Sequence, residues 1–419
     1  MGAASLGLLT ALLLQADPSG VSEVLEPVEP RPESVGVGLG VRLELRSSGT
    51  STTDLEVDPV GSIRLPFRNA ALSLSYEPRI FIIAGPVTKH VAYVNRGRVR
   101  LTALPAPRWS LFLEVTGGLG EYDFNPLSTV LPRAPSGPTG EPSPSGTSGS
   151  GPSPVTPIPS IGSIPNQRLV RVVDLHATAG ITYQVAPRLS WLLSGGYNWS
   201  GGLGAAGQQA LPLQQGPTAS TGPRFGLSPI DALSVVLSGT RTEFSSGPEA
   251  AIVDLTGTWS RALSRTWQMD LTAGAGAFHG TGPDRPVNNS VLPVGGLVLT
   301  HLWLLPRGNV LNTLQLGAAP QPDPLSGIVY ERVSAALISS LPLARRVWFS
   351  ITGGASATIN NPQRDIRLET MLSWVIAPQV SVAGGARLAW LKGSDLLGPF
   401  GFAWTGYLTV SVNPLGTSF

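Results

Sequence analysis

Between Val35 and Arg46 the chain alternates without a break. Val35, Val37, Leu39, Val41, Leu43 and Leu45 are apolar, and Gly36, Gly38, Gly40, Arg42, Glu44 and Arg46 fall between them. Successive side chains of a strand point to opposite faces, so this segment has one oily face and one polar, charged face. The pattern recurs down the chain. Leu175, Ala177, Ala179, Ile181 and Tyr183 stand against Asp174, His176, Thr178, Thr182 and Gln184. Met269, Leu271, Ala273 and Ala275 stand against Gln268, Asp270 and Thr272, and Leu368, Leu372 and Trp374 against Arg367, Glu369 and Ser373. Near the end, Phe400, Phe402, Trp404, Leu408, Val410 and Val412 alternate with Ala403, Thr405, Tyr407, Thr409 and Ser411.

Two-faced strands build either a sandwich, whose inner faces pack on each other, or a closed barrel. Composition begins to separate the two. Only 13% of the 419 residues are charged, about half of what a soluble domain carries. A helical membrane protein needs apolar runs of about 20 residues. Here the one apolar run of note is Leu6 to Leu14. It reads as the h-region of a secretory signal peptide over residues 1–16, with Gln15-Ala16 before Asp17-Pro18 as the cleavage zone. Residues 17–34, with Glu26-Pro27, Glu29-Pro30 and Pro32-Glu33, read as an extended periplasmic lead-in. The absence of cysteine agrees with an envelope location. A formal charge of +2 gives no basic footprint for nucleic acid.

Connections alternate between tight and long. The tight ones are Pro105-Ala106-Pro107-Arg108, Ala186-Pro187-Arg188, Ser228-Pro229-Ile230-Asp231, Leu263-Ser264-Arg265, Pro306-Arg307-Gly308-Asn309 and Ala377-Pro378-Gln379. Pro and Gly there supply turn geometry and end the ladder. The long ones are 85–95, 125–166, 201–216, 280–290, 320–326 and 392–399. Residues 135–159 are almost wholly Pro, Gly, Ser and Thr, too poor in apolar surface to fold alone, so 125–166 is expected as a disordered extracellular loop. Short turns at one end and long loops at the other belong to bacterial outer-membrane barrels. The expected fold is therefore an all-β, antiparallel, up-and-down transmembrane barrel over residues 35–419. It has about eighteen strands, with sixteen as the alternative, and an even number returns both ends to the periplasm.

Tryptophan placement is a second, independent sign. Trp109, Trp191, Trp259, Trp267, Trp303, Trp348 and Trp374 all lie within a few residues of a tight turn. An indole is apolar apart from one N–H, so it gathers at the membrane–water boundary. These seven are expected to form a periplasmic girdle, with Tyr197, Trp199 and Trp390 starting the outer one.

The polar faces would then line a lumen. The candidate lining residues are Arg42, Glu44, Arg46, Arg98, Arg100, Glu114, Asp174, His176, Asp254, Asp270, Arg367, Glu369 and Arg387. Barrels of about 16 to 18 strands hold water, and rings of charge in them set ion preference and orient solutes. The alternative is that the same charges simply pair across the lumen and stiffen the wall. His176 with Asp174 is the one pair that suggests hydrolysis, but positions i and i+2 on a strand are about 7 Å apart, loose for orienting a base. His90, His176, His279 and His301 show no metal-ligand spacing, and no phosphate-binding Gly loop is present, so neither metal nor cofactor is expected. Only a short segment separates the signal from the first strand, which argues against a plugged transporter.

Ser73-Leu74-Ser75-Tyr76-Glu77-Pro78-Arg79 and the Ala-Pro-Arg hairpins at Ala106 to Arg108 and Ala186 to Arg188 resemble those of the roughly 18-stranded, porin-like outer-membrane barrels of polysaccharide-export pathways. The resemblance implies a passage for a secreted polymer beside a periplasmic export protein. Phe419 resembles the terminal aromatic signal read by the barrel-assembly machinery, although Pro414 and Gly416 interrupt that segment and place the end of the paired strand near Val412. The expected partners are outer-membrane lipids, that machinery and the periplasmic exporter. The expected function is a pore for hydrophilic solute, polysaccharide being the favoured cargo. A general diffusion porin, an outer-membrane hydrolase and an adhesive barrel displaying residues 135–159 are the alternatives.

Overall fold

The computed structural model describes residues 34–47, 51–84, 89–123, 169–210, 212–282, 285–305, 308–322, 328–359, 364–377, 379–392, 401–412 and 417–418. The expected signal peptide, the expected lead-in up to residue 33 and the expected 125–166 loop lie outside the described residues. In chain order the strands are β1 (Ser34–Ser47), β2 (Ser51–Phe67), β3 (Ala70–Tyr76), β4 (Arg79–Ala84), β5 (Lys89–Ala106), β6 (Trp109–Asp123), β7 (Leu169–Ala186) and β8 (Leu189–Gly202). After a short helix α1 (Gly204–Ala210) come β9 (Gln214–Ser228), β10 (Asp231–Phe244), β11 (Glu249–Ala262), β12 (Trp267–Gly282), β13 (Arg285–Leu305) and β14 (Gly308–Pro322). The last are β15 (Val329–Ala344), β16 (Val347–Thr358), β17 (Arg364–Ala377), β18 (Val380–Lys392), β19 (Gly401–Val412) and β20 (Thr417–Ser418).

Each stave pairs antiparallel with the next along the chain, and β1 pairs with β19 from Leu39↔Val412 to Ser47↔Trp404, which closes the sheet on itself. Closure leaves no open edge, so every stave has a partner on both sides. The twenty segments make eighteen staves among the described residues, because two staves are interrupted. β3 and β4 pair with β2 and β5 in one continuous register, as Tyr76↔Gly61 and Ile80↔Val57 show. The gap between them is Glu77-Pro78, inside the Ser73–Arg79 motif, where proline has no N–H to give the ladder. β19 and β20 form the closing stave. Its pairing resumes at Val35↔Thr417, so four positions of β1 are spanned by five of its partner. The ladder therefore extends past Val412, beyond the end expected from Pro414 and Gly416.

The two faces of each stave are physically distinct. Leu193, Leu255, Val291, Trp303, Ile366 and Leu408 stand on one face and are exposed although large and apolar. On the other face of the same staves lie Ser194, Asp254, Leu292, Arg367 and Tyr407. Exposing so much apolar surface is tolerable only where hydrocarbon, not water, is the neighbour. The apolar face is the outside of the barrel, and the alternation seen in the sequence is its cause.

One end carries short turns: Arg68-Asn69, Pro107-Arg108, Pro187-Arg188, Pro229-Ile230, residues 263–266 and Arg345-Arg346. Their carbonyls tie each hairpin to the following stave. Asn69 accepts from Leu104 N, Arg108 from Gln184 N, Arg188 from Gly226 N, Ile230 from Ala262 N and Arg346 from Val375 N, at 2.7–3.0 Å. The opposite end is less loop-rich than expected. Residues 89–95 belong to β5 and residues 285–290 to β13, which alone has 21 residues. A tilted strand needs only about 9–11 residues to cross a bilayer, so these staves continue pairing beyond it.

β9 contains Gly216-Pro217 and Gly222-Pro223, and its pairing with β10 lapses at both places while that with β8 runs on. Six residues apart, the two prolines lack their donors on the same edge, since strand N–H groups alternate sides. The preceding glycines let the backbones close in: a Cβ on Gly222 would lie 1.9 Å from Val235 O.

Candidate functional site on the inner face

The polar face of β14 to β19 carries two adjacent ionic groups joined by one row of β17. Arg332 on β15 donates from Nη1 to Gln321 of β14 at 3.0 Å and from Nη2 to Asp365 of β17 at 2.8 Å. Ser356, on the stave between, bonds to both Arg332 and Asp365. The second oxygen of Asp365 lies 3.4 Å from Nε of Arg367, two residues on. Glu369, two further, accepts from the Tyr407 hydroxyl at 2.6 Å and pairs with Nε of Arg387 at 3.0 Å, and that guanidinium lies over the Tyr407 ring. Side-chain period two on β17 puts Asp365, Arg367 and Glu369 in one row, and antiparallel register brings the partners alongside. These groups are mostly shielded from solvent, Arg367 at only 3% side-chain exposure. Buried charges depend on pairing. Arg332 and Asp365 are both paired and hydrogen-bonded, whereas Arg367 has the Asp365 ion pair and no hydrogen bond from its guanidinium nitrogens among the described residues.

A separate, wetter group sits on β5 to β8. Arg98 donates to Glu114 at 2.9 Å, and Arg100 lies 3.9 Å from the same oxygen. His176 contacts Asp174 through Nε2 at 2.7 Å and Asn198 Oδ1 through Nδ1 at 2.9 Å. The imidazole is thus engaged by a carboxylate and an amide rather than by a hydroxyl nucleophile, the contact a serine-type hydrolase depends on. Between the two regions the inner face is quieter. Thr258 and Thr272 share a hydrogen bond at 2.9 Å, and Phe244, Ala250, Phe278 and Val329 pack together toward the long-connection end. Among the described residues no cluster of three His, Cys, Asp or Glu is placed to hold a metal.

The structure brings together Arg98, Arg100 and Glu114, then Asp174 and His176, and then Arg367 with Glu369 and Arg387 through Asp365 and Tyr407. Asp254 and Asp270 stand apart from these groups. Asp254 leans on Gly276, where a Cβ would meet its Oδ1, and Asp270 lies on β12 opposite Ser260. The backbone of Arg42, Glu44 and Arg46 lies at the closing seam, opposite Thr409, Tyr407 and Thr405; their side chains lie outside the described part. The sequence reading missed Arg332, Asp365 and Ser356. Asp365 shares the parity of Arg367 and could have been found by extending that strand two residues.

Six of the seven girdle tryptophans, Trp109, Trp191, Trp259, Trp267, Trp303 and Trp374, share a face with the exposed apolar residues. Four have aromatic or polar neighbours at that level: Trp109 lies against Tyr183, Trp267 stacks on His301, Trp191 donates to Thr221 and Trp259 donates to Asp231. Trp348 is the correction. It shares the parity of Ser350, Thr352 and Ser356 and pairs opposite Ser373, so it stands on the inner face. Its level, close to a turn, misled; its neighbours decide the face.

A closed sheet with an apolar exterior satisfies its backbone without water and is the form in which β-structure crosses a bilayer. The protein is a bacterial outer-membrane barrel. Among solved structures it is similar to OccK11 (OpdR) of Pseudomonas aeruginosa, with TM-score 0.46 and 12% identity over 93% of this chain and 99% of that one. It is also similar to OccAB4 of Acinetobacter baumannii, with TM-score 0.44 and 7% identity over 93% and 100%. The ferric-catecholate import receptor Fiu of E. coli K12 gives TM-score 0.46 and 8% identity over 93% and 82%. No curated protein matches. The sequence profile of the EpsX exopolysaccharide export family matches residues 45–417, and the chain belongs to that family.

Proposed function

We propose that the protein is the outer-membrane conduit through which an exopolysaccharide leaves the cell, working beside a periplasmic export protein. Membership of an export family, together with a barrel whose inner face is ionic on both β5–β8 and β14–β19, carries this reading. In it the short turns face the periplasm and the longer connections face outward. The charged residues from Arg98 to Arg387 line the path, and the girdle tryptophans hold the barrel at the inner boundary. A hydroxyl-rich polymer suits such a wall, because carboxylates, guanidinium groups, amides and hydroxyls offer it both donors and acceptors. No covalent step is required of the chain.

The test is a strain lacking this chain. Surface polysaccharide is expected to fall to background and to return on complementation. The purified barrel is expected to conduct in planar bilayers. Normal surface polymer in the deletion strain together with clear conductance would assign a general porin instead. Normal polymer and no conductance at any voltage would end the conduit reading.

A further inference from the structure

The short-turn end is unusually basic. Arg68, Arg108, Arg188, Arg265, Arg345 and Arg346 occupy its turns, and all six are exposed. Arg346 donates to Ile376 O at 3.2 Å. Among the described residues, the guanidinium groups of the other five have neither a hydrogen-bond nor an ion-pair partner. Asp231, the carboxylate beside these turns, is already engaged: Ser228 and the Trp259 indole donate to it at 2.9 and 3.2 Å, and Arg261 lies 3.7 Å away. The far end differs, for there Arg241 bonds both Glu243 and Glu249. One rim is therefore an uncompensated cationic collar, on a chain whose net charge is only +2.

The collar lies at the level of the outward tryptophans. Trp109 follows Arg108, Trp191 comes three residues after Arg188, and Trp267 two after Arg265. Arg261 shows where a guanidinium at this level goes: it lies over the ring of Trp259, 5.6 Å from the centroid, on the outer face. A planar guanidinium fork matches a phosphate oxygen pair, and basic residues beside a bilayer are drawn to anionic lipid.

We infer that this collar is a belt of phosphate sites for anionic phospholipid headgroups in the adjoining leaflet. The belt fixes the depth of the barrel in the membrane. It requires only that the barrel spans a bilayer, so it stands or falls separately from the cargo assignment.

The test uses the full-length barrel reconstituted in vesicles of pure phosphatidylcholine or with about one-third phosphatidylglycerol. The readout is the temperature at which the compact form, seen on unboiled gels, is lost. The parent is expected to gain several degrees in the anionic vesicles, and high salt should shrink the gain. The R68Q/R108Q/R188Q/R265Q/R345Q variant should match the parent in phosphatidylcholine and lose the gain. Should that variant fail to fold, the pair R108Q/R188Q should lose part of it. A gain that survives in the variants, or a parent with none, overturns the proposal. A changed ion preference of the pore with an unchanged lipid response would overturn it in favour of a collar that acts on the passing polymer.

Discussion

Arg332 and Asp365 stand two staves apart and still pair, Nη2 to Oδ1 at 2.8 Å, reaching across β16 with the Ser356 hydroxyl bonded to both. The concave wall of a barrel turns inner side chains toward one another, so such a reach is natural there. Asp365 serves two cations, since Arg367 lies 3.4 Å from its other oxygen. Its removal strands both in a shielded place. Asp365→Leu is expected to cost about 3–5 kcal/mol, the range for breaking a buried pair by deleting one partner. Arg332→Met should cost less, about 1–3 kcal/mol, because Asp365 keeps Arg367 and Ser356. Urea titration of the reconstituted barrel, following the compact gel form, ranks the two. Equal losses would show that Asp365 does not hold the pair of arginines together.

Glu114 stands between Arg98 at 2.9 Å and Arg100 at 3.9 Å, and all three side chains are partly open to solvent. Glu114→Gln leaves two cations on that wall without their counter-charge. The reversal potential across a salt gradient in planar bilayers is expected to move toward anion preference. Arg98→Gln should move it the other way, since Glu114 then has one arginine fewer. Two variants with the parent's reversal potential would place this trio away from the ion path.

The barrel was legible because its cause is local. Period-two patterning, as in Asp174 to Gln184, needs no tertiary knowledge to identify a strand with an oily side. The site was legible in part. Arg367 and Glu369 could be found because they alternate with Leu368, yet Arg387 and Tyr407, which pair with Glu369, and Arg332, which shares Asp365 with Arg367, lie on other staves. Which of those stand alongside depends on register, and register is set by turn and bulge geometry, such as the shift between Val375 and Ala377. The break at Glu77-Pro78 divides one stave into two segments for a related reason: proline halts the ladder locally while the strand direction carries on. Residues 285–290 read as loop because Asn and Pro are poor strand formers, but pairing with β12 overrides that preference.

The two Gly-Pro pairs of β9 lead to a steric prediction. A Cβ on Gly216 would lie 1.7 Å from Arg241 O and one on Gly222 1.9 Å from Val235 O, both rigid backbone atoms. The β9 and β10 backbones must separate to admit it. Gly216→Ala and Gly222→Ala are each expected to destabilise the barrel by about 1–3 kcal/mol, as overpacking does. Gly195→Ala on the neighbouring stave is the control. Its nearest atom, Thr218 O, is 3.7 Å away, an ordinary contact. Thermal loss of the compact form separates them, and a Gly222→Ala barrel as stable as Gly195→Ala would mean that the close approach is absent.

Trp348 and Trp374 flank neighbouring staves at nearly the same height and should still meet different surroundings. In the register of β16 and β17, Trp374 pairs opposite Val347, while Trp348 pairs opposite Ser373, so the two indoles point to opposite sides of one sheet. Trp374 is exposed on the apolar face, as is Trp303. Lipids brominated on the acyl chain quench an indole only within contact range. Barrels that keep one of these tryptophans each, the other nine replaced by Phe, provide the measurement. Trp303 and Trp374 are expected to be strongly quenched and Trp348 to keep most of its emission. Aqueous acrylamide added to the same vesicles should give the inverse order wherever the inner face is wet. If Trp348 is quenched by the lipid as fully as Trp374, β16 is rotated by one residue. Ser356 would then turn outward, and the bridge it forms between Arg332 and Asp365 could not exist.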